Sequence, residues 1–259
     1  MKVLITGASS GIGAALARHY ARRGDHVWLA ARRAERLDDE VAAIRTANGT
    51  AHAVPLDVED AEALEPALLR LDADAGGFDV VIANAGVGGK GATASRLRYH
   101  DVKKVLAINF TGAVATLLAA QQPMLARGRG HLVAISSLAA ELALPIALDY
   151  GAAKAGLSYF TEAMRLDLAP RGVQVTLVHP GFVKSEMTAK NKFPMPFILD
   201  TDDAAALIVR GVDRGAPRVR FPLAYTAAFA LAKRLPLSFV AKVSQSQAKP
   251  GARDAPKLQ

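Results

Sequence analysis

The stretch "KVLITGASSGIG" (residues 2–13) joins a short apolar run to a glycine-rich turn and the start of a helical segment. Glycines let the backbone turn tightly and approach a pyrophosphate, and free N–H groups at the start of the helix favour an anion. The spacing is GxxxGxG, at Gly7, Gly11 and Gly13, rather than the commoner GxGxxG. An ordinary strand-to-helix loop is the alternative, but a turn after the first strand of a βαβ unit favours a dinucleotide site.

Apolar runs rich in Val, Ile and Leu alternate with longer helical stretches along the chain. The runs are continuous rather than alternating with polar residues, which indicates strands buried on both faces, as in a parallel sheet covered by helices. We therefore predict an α/β, doubly wound Rossmann fold with a seven-stranded parallel sheet flanked by helices on both faces. The candidate strands are 2–6, 26–30, 51–55, 79–83, 131–136, 173–178 and a weaker 218–221.

Composition limits the classes of protein to consider. The chain has 259 residues, of which 51% are hydrophobic, and no cysteine, so disulfides and thiolate metal sites are excluded. Absence of cysteine fits a reducing compartment, and we expect a cytoplasmic protein. The start "MKVLITGASS" lacks the long apolar core of a secretory signal, and we expect no membrane-spanning segment.

The net charge of +8 is concentrated at the C-terminal end. From Arg210 onward ten Lys and Arg face two acidic residues, whereas residues 1–209 hold 22 of each sign. A nucleic-acid footprint on the main body is therefore disfavoured. We predict a Rossmann-type catalytic domain over 1–221, then a basic apolar extension over 222–245 that packs on the domain, a subunit or a membrane surface, and a disordered tail over 246–259.

The end of the second candidate strand reads "LAARRAER" (29–36) and bears on the cofactor. An NAD site usually has Asp or Glu here to accept from the ribose 2′-hydroxyl, whereas Arg suits a 2′-phosphate. This chain has Ala31, followed by Arg32 and Arg33. One charge-assisted bond contributes roughly 1.5–3 kcal/mol. We predict NADP(H); the alternative is that the two arginines belong to a solvated helix start.

Tyr150 and Lys154 are four residues apart, so they share a face if this segment is helical. A free tyrosine has a pKa of about 10 and is a poor base at neutral pH, but a nearby ammonium favours the phenolate. Such a phenol could take a proton from an alcohol or give one to an alkoxide. Ser137 could bond the same substrate oxygen, whereas Ser136 reads as a strand-end residue. The alternative for Tyr150 is a tyrosine of the core.

Six motifs in order resemble the short-chain dehydrogenase/reductase family over nearly all of residues 2–221. The family's TGxxxGxG and YxxxK are present as "TGASSGIG" and "YGAAK", and its serine, thirteen residues before the tyrosine, falls on Ser137. The other matches are "LDV" (56–58), "ANAG" (83–86), "INFTG" (108–112) and "HPGFVKS" (179–185), where Ser185 replaces the usual Thr.

The resemblance implies hydride transfer between C4 of a nicotinamide and a carbonyl carbon, with Tyr150 as general acid or base. It implies that Lys154 binds the ribose hydroxyls and lowers the tyrosine pKa, that Ser137 orients the carbonyl, and that Asn109 links a proton relay to solvent. No metal is expected, and family members commonly form homodimers or homotetramers. The cofactor-binding residues implied are Gly7, Ser9, Ser10, Gly11, Ile12, Gly13, Arg32, Arg33, Asp57, Val58, Asn84, Ala85, Gly86, Tyr150, Lys154, Pro180, Gly181, Val183 and Ser185.

The substrate is not given by the resemblance. The residues expected around the pocket are mostly apolar and favour a lipophilic ketone, aldehyde or secondary alcohol, although Lys184, Lys190 and Lys192 could meet an anion at the rim. A catalytically silent dinucleotide-binding sensor or scaffold is the alternative function; a sugar-nucleotide epimerase would tend to have a longer C-terminal domain. The expected pocket residues are Ala139, Leu142, Leu144, Pro145, Phe182, Met187 and a lid over 192–199.

Overall fold

The computed structural model describes residues 1–191, 194–232 and 234. Its strands are β1 (Lys2–Thr6), β2 (His26–Ala31), β3 (Thr50–Pro55), β4 (Val80–Ala83), β5 (Gly130–Ile135), β6 (Val173–Pro180) and β7 (Arg218–Phe221). Its helices are α1 (Gly11–Arg22), α2 (Ala34–Thr46), α3 (Ala61–Ala75), α4 (Tyr99–Leu106), α5 (Ala113–Arg127), α6 (Leu148–Leu168), α7 (Thr201–Asp213) and α8 (Leu223–Ala232).

The strands form one parallel sheet in the order β3-β2-β1-β4-β5-β6-β7 within the described part of the chain. The chain winds from β1 toward one edge and then from β4 toward the other. Connections therefore diverge between β1 and β4 and open a crevice at the carboxyl ends of these strands, which is where ligands bind in doubly wound sheets. The prediction of a seven-stranded Rossmann fold is confirmed.

Two apolar cores cover the two faces of the sheet. Leu16 of α1 and Ile208 of α7 pack in one core, and Leu117 of α5 and Leu157 of α6 pack in the other. Successive residues of β1 serve both cores, since Val3 and Ile5 belong to the first and Leu4 to the second. Burial on both faces explains why the strands read as continuous apolar runs.

β6 ends two residues later than its predicted limit of 178. Leu177–Pro180 pairs with Arg218–Phe221, so β7 extends the sheet and holds the end of β6 in register. His179 therefore lies inside the strand. It is buried, and its Nε2 lies 3.0 Å from Ser158 Oγ.

Residues 99–127 form one continuous helical rod of α4, a π-helical segment (Ala107–Gly112) and α5. By length and composition alone this rod could cross a membrane. Its inner face is buried in the second core, where Leu117 and Met124 are fully covered. The fold therefore accounts for its apolar sequence as a core helix of the domain.

The helix α8 follows β7 and begins the predicted extension over 222–245. The ring of Tyr225 makes edge contacts with Phe182 and Phe197, each at a centroid distance of 5.8 Å. The start of the extension therefore packs beside the loop that follows β6. Residues 192, 193, 233 and 235–259 lie outside the described residues, so the predicted tail and part of the predicted lid are not described, and the domain limits stay predictions.

Candidate active site

The glycine-rich turn lies at the carboxyl end of β1, on the crevice. Gly7 and Gly11 have φ angles of 68° and 57°, in the left-handed region that favours glycine. A Cβ atom on Gly13 would collide with the carbonyl oxygen of Gly7 and with the Asn84 amide. The turn is therefore compact enough to require glycine, as the sequence predicted.

Asn84, just after β4, braces this turn. Its Nδ2 donates to the carbonyl oxygens of Thr6 (2.9 Å) and Gly7 (3.2 Å). The backbone N–H groups of Asn84 and Ala85 donate to Thr6 Oγ1 at 3.1 and 3.2 Å. Asn84 and Ala85 thus hold the glycine-rich turn in place through Thr6 and Gly7. Thr6 was not predicted as a site residue, although it opens the glycine motif.

The start of α1 is built to receive an anion. Ser10 is the N-cap residue but makes no side-chain capping bond, and the first turn has no acidic residue. The hydroxyl oxygens of Ser9 and Ser10 accept instead from Arg33 Nη2, at 3.1 and 3.0 Å. A helix start flanked by a guanidinium suits a pyrophosphate, and the residues present fit a dinucleotide.

Arg32 faces away from the turn, toward the end of β3. Its Nη1 lies 3.7 Å from Asp57 Oδ2 and 3.5 Å from Glu59 Oε2. Asp57 also accepts a hydrogen bond from the Glu59 backbone N–H. Arg32 and Asp57, both predicted to contact the cofactor, therefore lie together at the edge where the adenosine end is expected. Val58 is buried beside Gly112, whose added Cβ would collide with the Val58 carbonyl oxygen.

Arg33 faces the turn and a second group that the sequence did not predict. Its Nη1 donates to Glu186 Oε2 at 2.9 Å. Arg36, one turn further along α2, lies 3.4 Å from Glu186 Oε1. The spacing of Arg33 and Arg36 by three residues could have signalled that both arginines face one side of the helix.

Tyr150 and Lys154 both lie on the first turns of α6. Lys154 is 3% exposed, and its Nζ donates to the carbonyl oxygen of Ile135 at 2.8 Å. The same Nζ lies 6.0 Å from the centroid of the Tyr150 ring. The predicted pair therefore shares one face of the helix, at the carboxyl end of β5.

Burial shifts the pKa of both groups. It raises the pKa of Tyr150, and a hydrogen bond from the Ser137 side chain lowers it in part. It lowers the pKa of Lys154 to about 8. In the protein alone the net shift of the tyrosine pKa is thus upward, because removal from water opposes the phenolate. The lowering of the Tyr150 pKa by Lys154 stays a prediction.

The two adjacent serines after β5 face different partners. Ser137 caps the 3₁₀ turn Leu138–Ala140 and acts on the Tyr150 phenol. Ser136 donates to the carbonyl oxygen of Lys154 at 2.9 Å and lies 2.8 Å from Ser158 Oγ. Ser137 therefore lies at the candidate site, and Ser136 ties α6 to the sheet, as predicted for a strand-end serine.

Asn109 lies in the π-helical segment and is fully buried. Its Oδ1 accepts from the N–H of Val87 at 2.7 Å, and its Nδ2 donates to the carbonyl oxygen of Val87 at 2.8 Å. A Cβ on Gly86 would lie 3.1 Å from Asn109 Oδ1 and 3.6 Å from Lys154 Nζ. Asn109 and Lys154 thus converge on Gly86. Single π turns are frequent at functional sites, but the sequence did not predict one here.

Asp149 is a further residue that the sequence did not single out. It is 3% exposed, and its carboxylate accepts from the backbone N–H groups of Tyr150 (2.8 Å) and Lys90 (3.2 Å). It therefore joins the loop after β4 to the start of α6. An acidic residue in an otherwise aliphatic stretch was the available signal.

The loop after β6 closes the other side of the crevice. The N–H of Gly181 donates to the carbonyl oxygen of Phe221 at 2.7 Å, and Val183 pairs with Leu199. The N–H of Ser185 donates to Thr188 Oγ1 at 2.9 Å, so Thr188 shapes the turn at Ser185. Thr188 was not predicted as a site residue.

This loop also spans from the glycine turn to the loop after β4. A Cβ on Gly11 would touch Ser185 Cβ at 3.4 Å, and one on Gly88 would touch Met187 Cγ at 3.2 Å. Pro180 ends β6, and Ile12 lies half-buried in α1. The remaining predicted pocket residues, Ala139, Leu142, Leu144 and Pro145, lie in the turn and loop before α6.

Comparisons with known proteins agree with this arrangement. Residues 1–194 match the family described as short chain dehydrogenase. An uncharacterized oxidoreductase of Myxococcus xanthus is 47% identical over 233 residues, which cover 90% of this chain and 92% of that protein.

Two solved structures share the fold over nearly their whole length. A short-chain dehydrogenase from Streptomyces avermitilis superposes with a TM-score of 0.82 at 27% identity, covering 95% of this chain and 98% of its own. A short-chain dehydrogenase from Sphingobium yanoikuyae, in complex with NADPH, has a TM-score of 0.80 at 27% identity and 99% coverage of both chains. The chain therefore belongs to the short-chain dehydrogenase/reductase family, whose members are oxidoreductases that bind a nicotinamide dinucleotide.

Proposed function

We propose that this protein is an NADP(H)-dependent oxidoreductase acting on a carbonyl or secondary alcohol of a lipophilic substrate. The observation that carries the proposal is the convergence of Tyr150, Lys154 and Ser137 at the carboxyl end of β5, beside the crevice that holds the glycine turn. A bound nicotinamide would supply or accept the hydride. The chain itself must then orient the carbonyl and move one proton.

Tyr150 is the proposed proton donor to the developing alkoxide. Its raised pKa keeps the phenol protonated at neutral pH, which suits a general acid in the reductive direction. Ser137 would hold the same oxygen and donate to the phenolate left behind. Lys154 would stabilise that phenolate and bind the ribose hydroxyls, while Asn109 keeps the loop at Gly86 and Val87 in place beside it.

The preference for NADP(H) rests on the surroundings of Arg33. Its guanidinium donates hydrogen bonds to the hydroxyl groups of Ser9 and Ser10. Arg36 lies on the same side of α2, and position 31 is an alanine rather than an acidic residue. The Sphingobium yanoikuyae relative is described with NADPH bound. Dissociation constants for NADPH and NADH test the proposal: we expect a clear NADPH preference, which Arg33→Ala reduces about 10- to 100-fold. A wild-type preference for NADH would contradict it.

The lipophilic substrate class rests on the aromatic side chains beside the loop after β6. Phe182, Phe197 and Tyr225 pack edge to edge there, and Phe197 is 62% exposed. A panel of hydrophobic and charged carbonyls, followed by NADPH oxidation, tests this class. If the wild type binds NADPH but oxidises it with no carbonyl of a broad panel, the silent sensor or scaffold is favoured instead.

Two further partners are proposed for the surface. Tyr159 and Leu166 of α6 are 81% and 70% exposed, which supports a homodimer or homotetramer. In α8, Leu223 and Leu231 are 80% and 63% exposed, which supports packing on a subunit or peripheral contact of a cytoplasmic enzyme with an anionic membrane. Light scattering gives the mass of the assembly. Vesicle co-sedimentation of the wild type and Leu223→Glu, at low and high salt, tests the membrane contact.

A further inference from the structure

Glu186 reaches across the crevice from the loop after β6 to the start of α2. Its Oε2 accepts from Arg33 Nη1 at 2.9 Å, and its Oε1 lies 3.4 Å from Arg36 Nη1. One carboxylate is therefore shared by two guanidinium groups. All three side chains are about half exposed, between 45% and 57%.

The guanidinium of Arg33 also faces the glycine-rich turn. Arg33 Nη2 donates to Ser9 and Ser10, so its other edge, at Nη1, is the one that Glu186 occupies. A 2′-phosphate bound by Arg33 would therefore need the edge that Glu186 occupies, together with the Arg36 cation. Two anions cannot both be held there without mutual repulsion.

We propose that Glu186 competes with the adenosine 2′-phosphate for Arg33 and Arg36 and is a specificity-determining residue. The inference rests on the proposed use of NADP(H). NADPH must displace Glu186 from the two arginines, whereas NADH, with a 2′-hydroxyl, leaves the ion pairs in place. Glu186 therefore reduces the preference for NADPH that the arginines create.

Other contacts hold the start of the loop after β6, just before Glu186. Release of Glu186 from the two arginines would leave these contacts in place. At the base Val183 pairs with Leu199, and Lys184 Nζ lies 2.7 Å from Asp200 Oδ1. The Lys184–Asp200 pair is also exposed, at 60% and 62%. Asp200→Asn consequently removes the same charge from the same region without touching the arginines, which makes it a matched control.

The test is titration calorimetry of NADPH and NADH with the wild type, Glu186→Gln and Asp200→Asn. Exposed ion pairs contribute little individually, so we expect Glu186→Gln to bind NADPH two- to tenfold more tightly and NADH within twofold of the wild type. Asp200→Asn should leave both affinities within twofold. In an Arg33→Ala background, where only the Arg36 pair remains, Glu186→Gln should have a smaller effect on NADPH binding than in the wild type.

Three outcomes would overturn the inference: unchanged or weaker NADPH binding by Glu186→Gln, equal gains for both cofactors, or the same gain from Asp200→Asn. The Arg33→Ala variant separates this from the proposed cofactor preference. If Arg33→Ala weakens NADPH binding but Glu186→Gln has no effect, the competition is wrong and the NADP(H) proposal stands. If Arg33→Ala has no effect, both fail.

Discussion

Lys154 Nζ lies 6.0 Å from the centre of the Tyr150 ring while it donates to the carbonyl oxygen of Ile135. The ammonium therefore lies beside the tyrosine ring and is anchored to the end of β5. Burial acts on the two groups in opposite ways: it raises the pKa of the phenol and lowers that of the ammonium. In the protein alone the Tyr150 phenol is therefore held in its protonated form at neutral pH, which is the form that the proposed general acid requires.

Removing the Tyr150 hydroxyl should abolish turnover without preventing cofactor binding. General acid–base catalysis contributes about 10²- to 10⁴-fold, so we expect Tyr150→Phe to lower kcat for carbonyl reduction by at least about 100-fold. Tyr159→Phe is the matched control, since Tyr159 lies on the same helix but is 81% exposed. Steady-state NADPH oxidation measures the rate and calorimetry the affinity. Retention of kcat in Tyr150→Phe would rule out the proposed role.

The rate of reduction should depend on the protonation of Lys154. Because burial lowers the pKa of Lys154 to about 8, the ammonium is present below pH 8 and is lost as the pH rises through that value. We expect kcat/KM for reduction to be level near pH 7 and to fall about tenfold per pH unit well above pH 8. NADPH affinity over the same range separates catalysis from binding. A rate that is level up to pH 10 would contradict this role.

The two serines after β5 should give opposite phenotypes. Ser137→Ala removes the group that acts on Tyr150, so we expect kcat to fall about 10- to 100-fold with little change in the free energy of unfolding. Ser136→Ala removes hydrogen bonds to Lys154 and Ser158, so we expect a loss of stability of about 1–2 kcal/mol and a smaller effect on kcat. Urea unfolding and steady-state kinetics on both variants decide between them. Equal changes in kcat and in the free energy of unfolding for the two variants would contradict the different roles proposed for Ser136 and Ser137.

Much of the fold could be predicted because its signals are local. The central strands β1, β4 and β5 contain continuous apolar runs, and Gly7, Gly11 and Gly13 mark a turn whose backbone angles or close contacts favour glycine. The positions of Tyr150 and Lys154 on one helix face followed from their spacing by four residues. These features depend only on residues that are close together in the sequence, so the sequence alone was enough to predict them.

The parts that were missed depend on contacts between distant segments. Glu186 meets Arg33 across 153 residues of chain, and Asp149 meets Lys90 across 59. Asn109 lies in the π-helical turn, and its side chain is hydrogen-bonded to Val87 on another loop. Local periodicity carries no information on which loops meet, so such contacts required the structure.

Acid should destabilise the protein in part through His131, which is 8% exposed. Thr176 Oγ1 donates to the carbonyl oxygen of Ala216, so it accepts from His131 Nε2, and the neutral ring carries its proton there. Burial lowers the pKa of His131 from 6.5 to about 4. In this pH range the unfolded chain therefore binds a proton at His131 that the folded chain does not bind. The free energy of unfolding decreases as the pH falls from about 6.5 toward 4.

This loss can be measured with His131→Gln, whose amide can still donate to Thr176. From the shift, on the order of 2 kcal/mol of unfolding free energy should disappear between pH 8 and pH 5 in the wild type through this residue. His131→Gln should lack that part of the pH dependence, whereas His26→Gln, at an exposed position, should keep it. The buried His179 acts in the same direction, because burial lowers its pKa to about 4, so some dependence remains. Urea unfolding of the three proteins at both pH values tests this prediction. If the unfolding free energy of His131→Gln depends on pH as strongly as that of the wild type, protonation of His131 does not destabilise the folded protein.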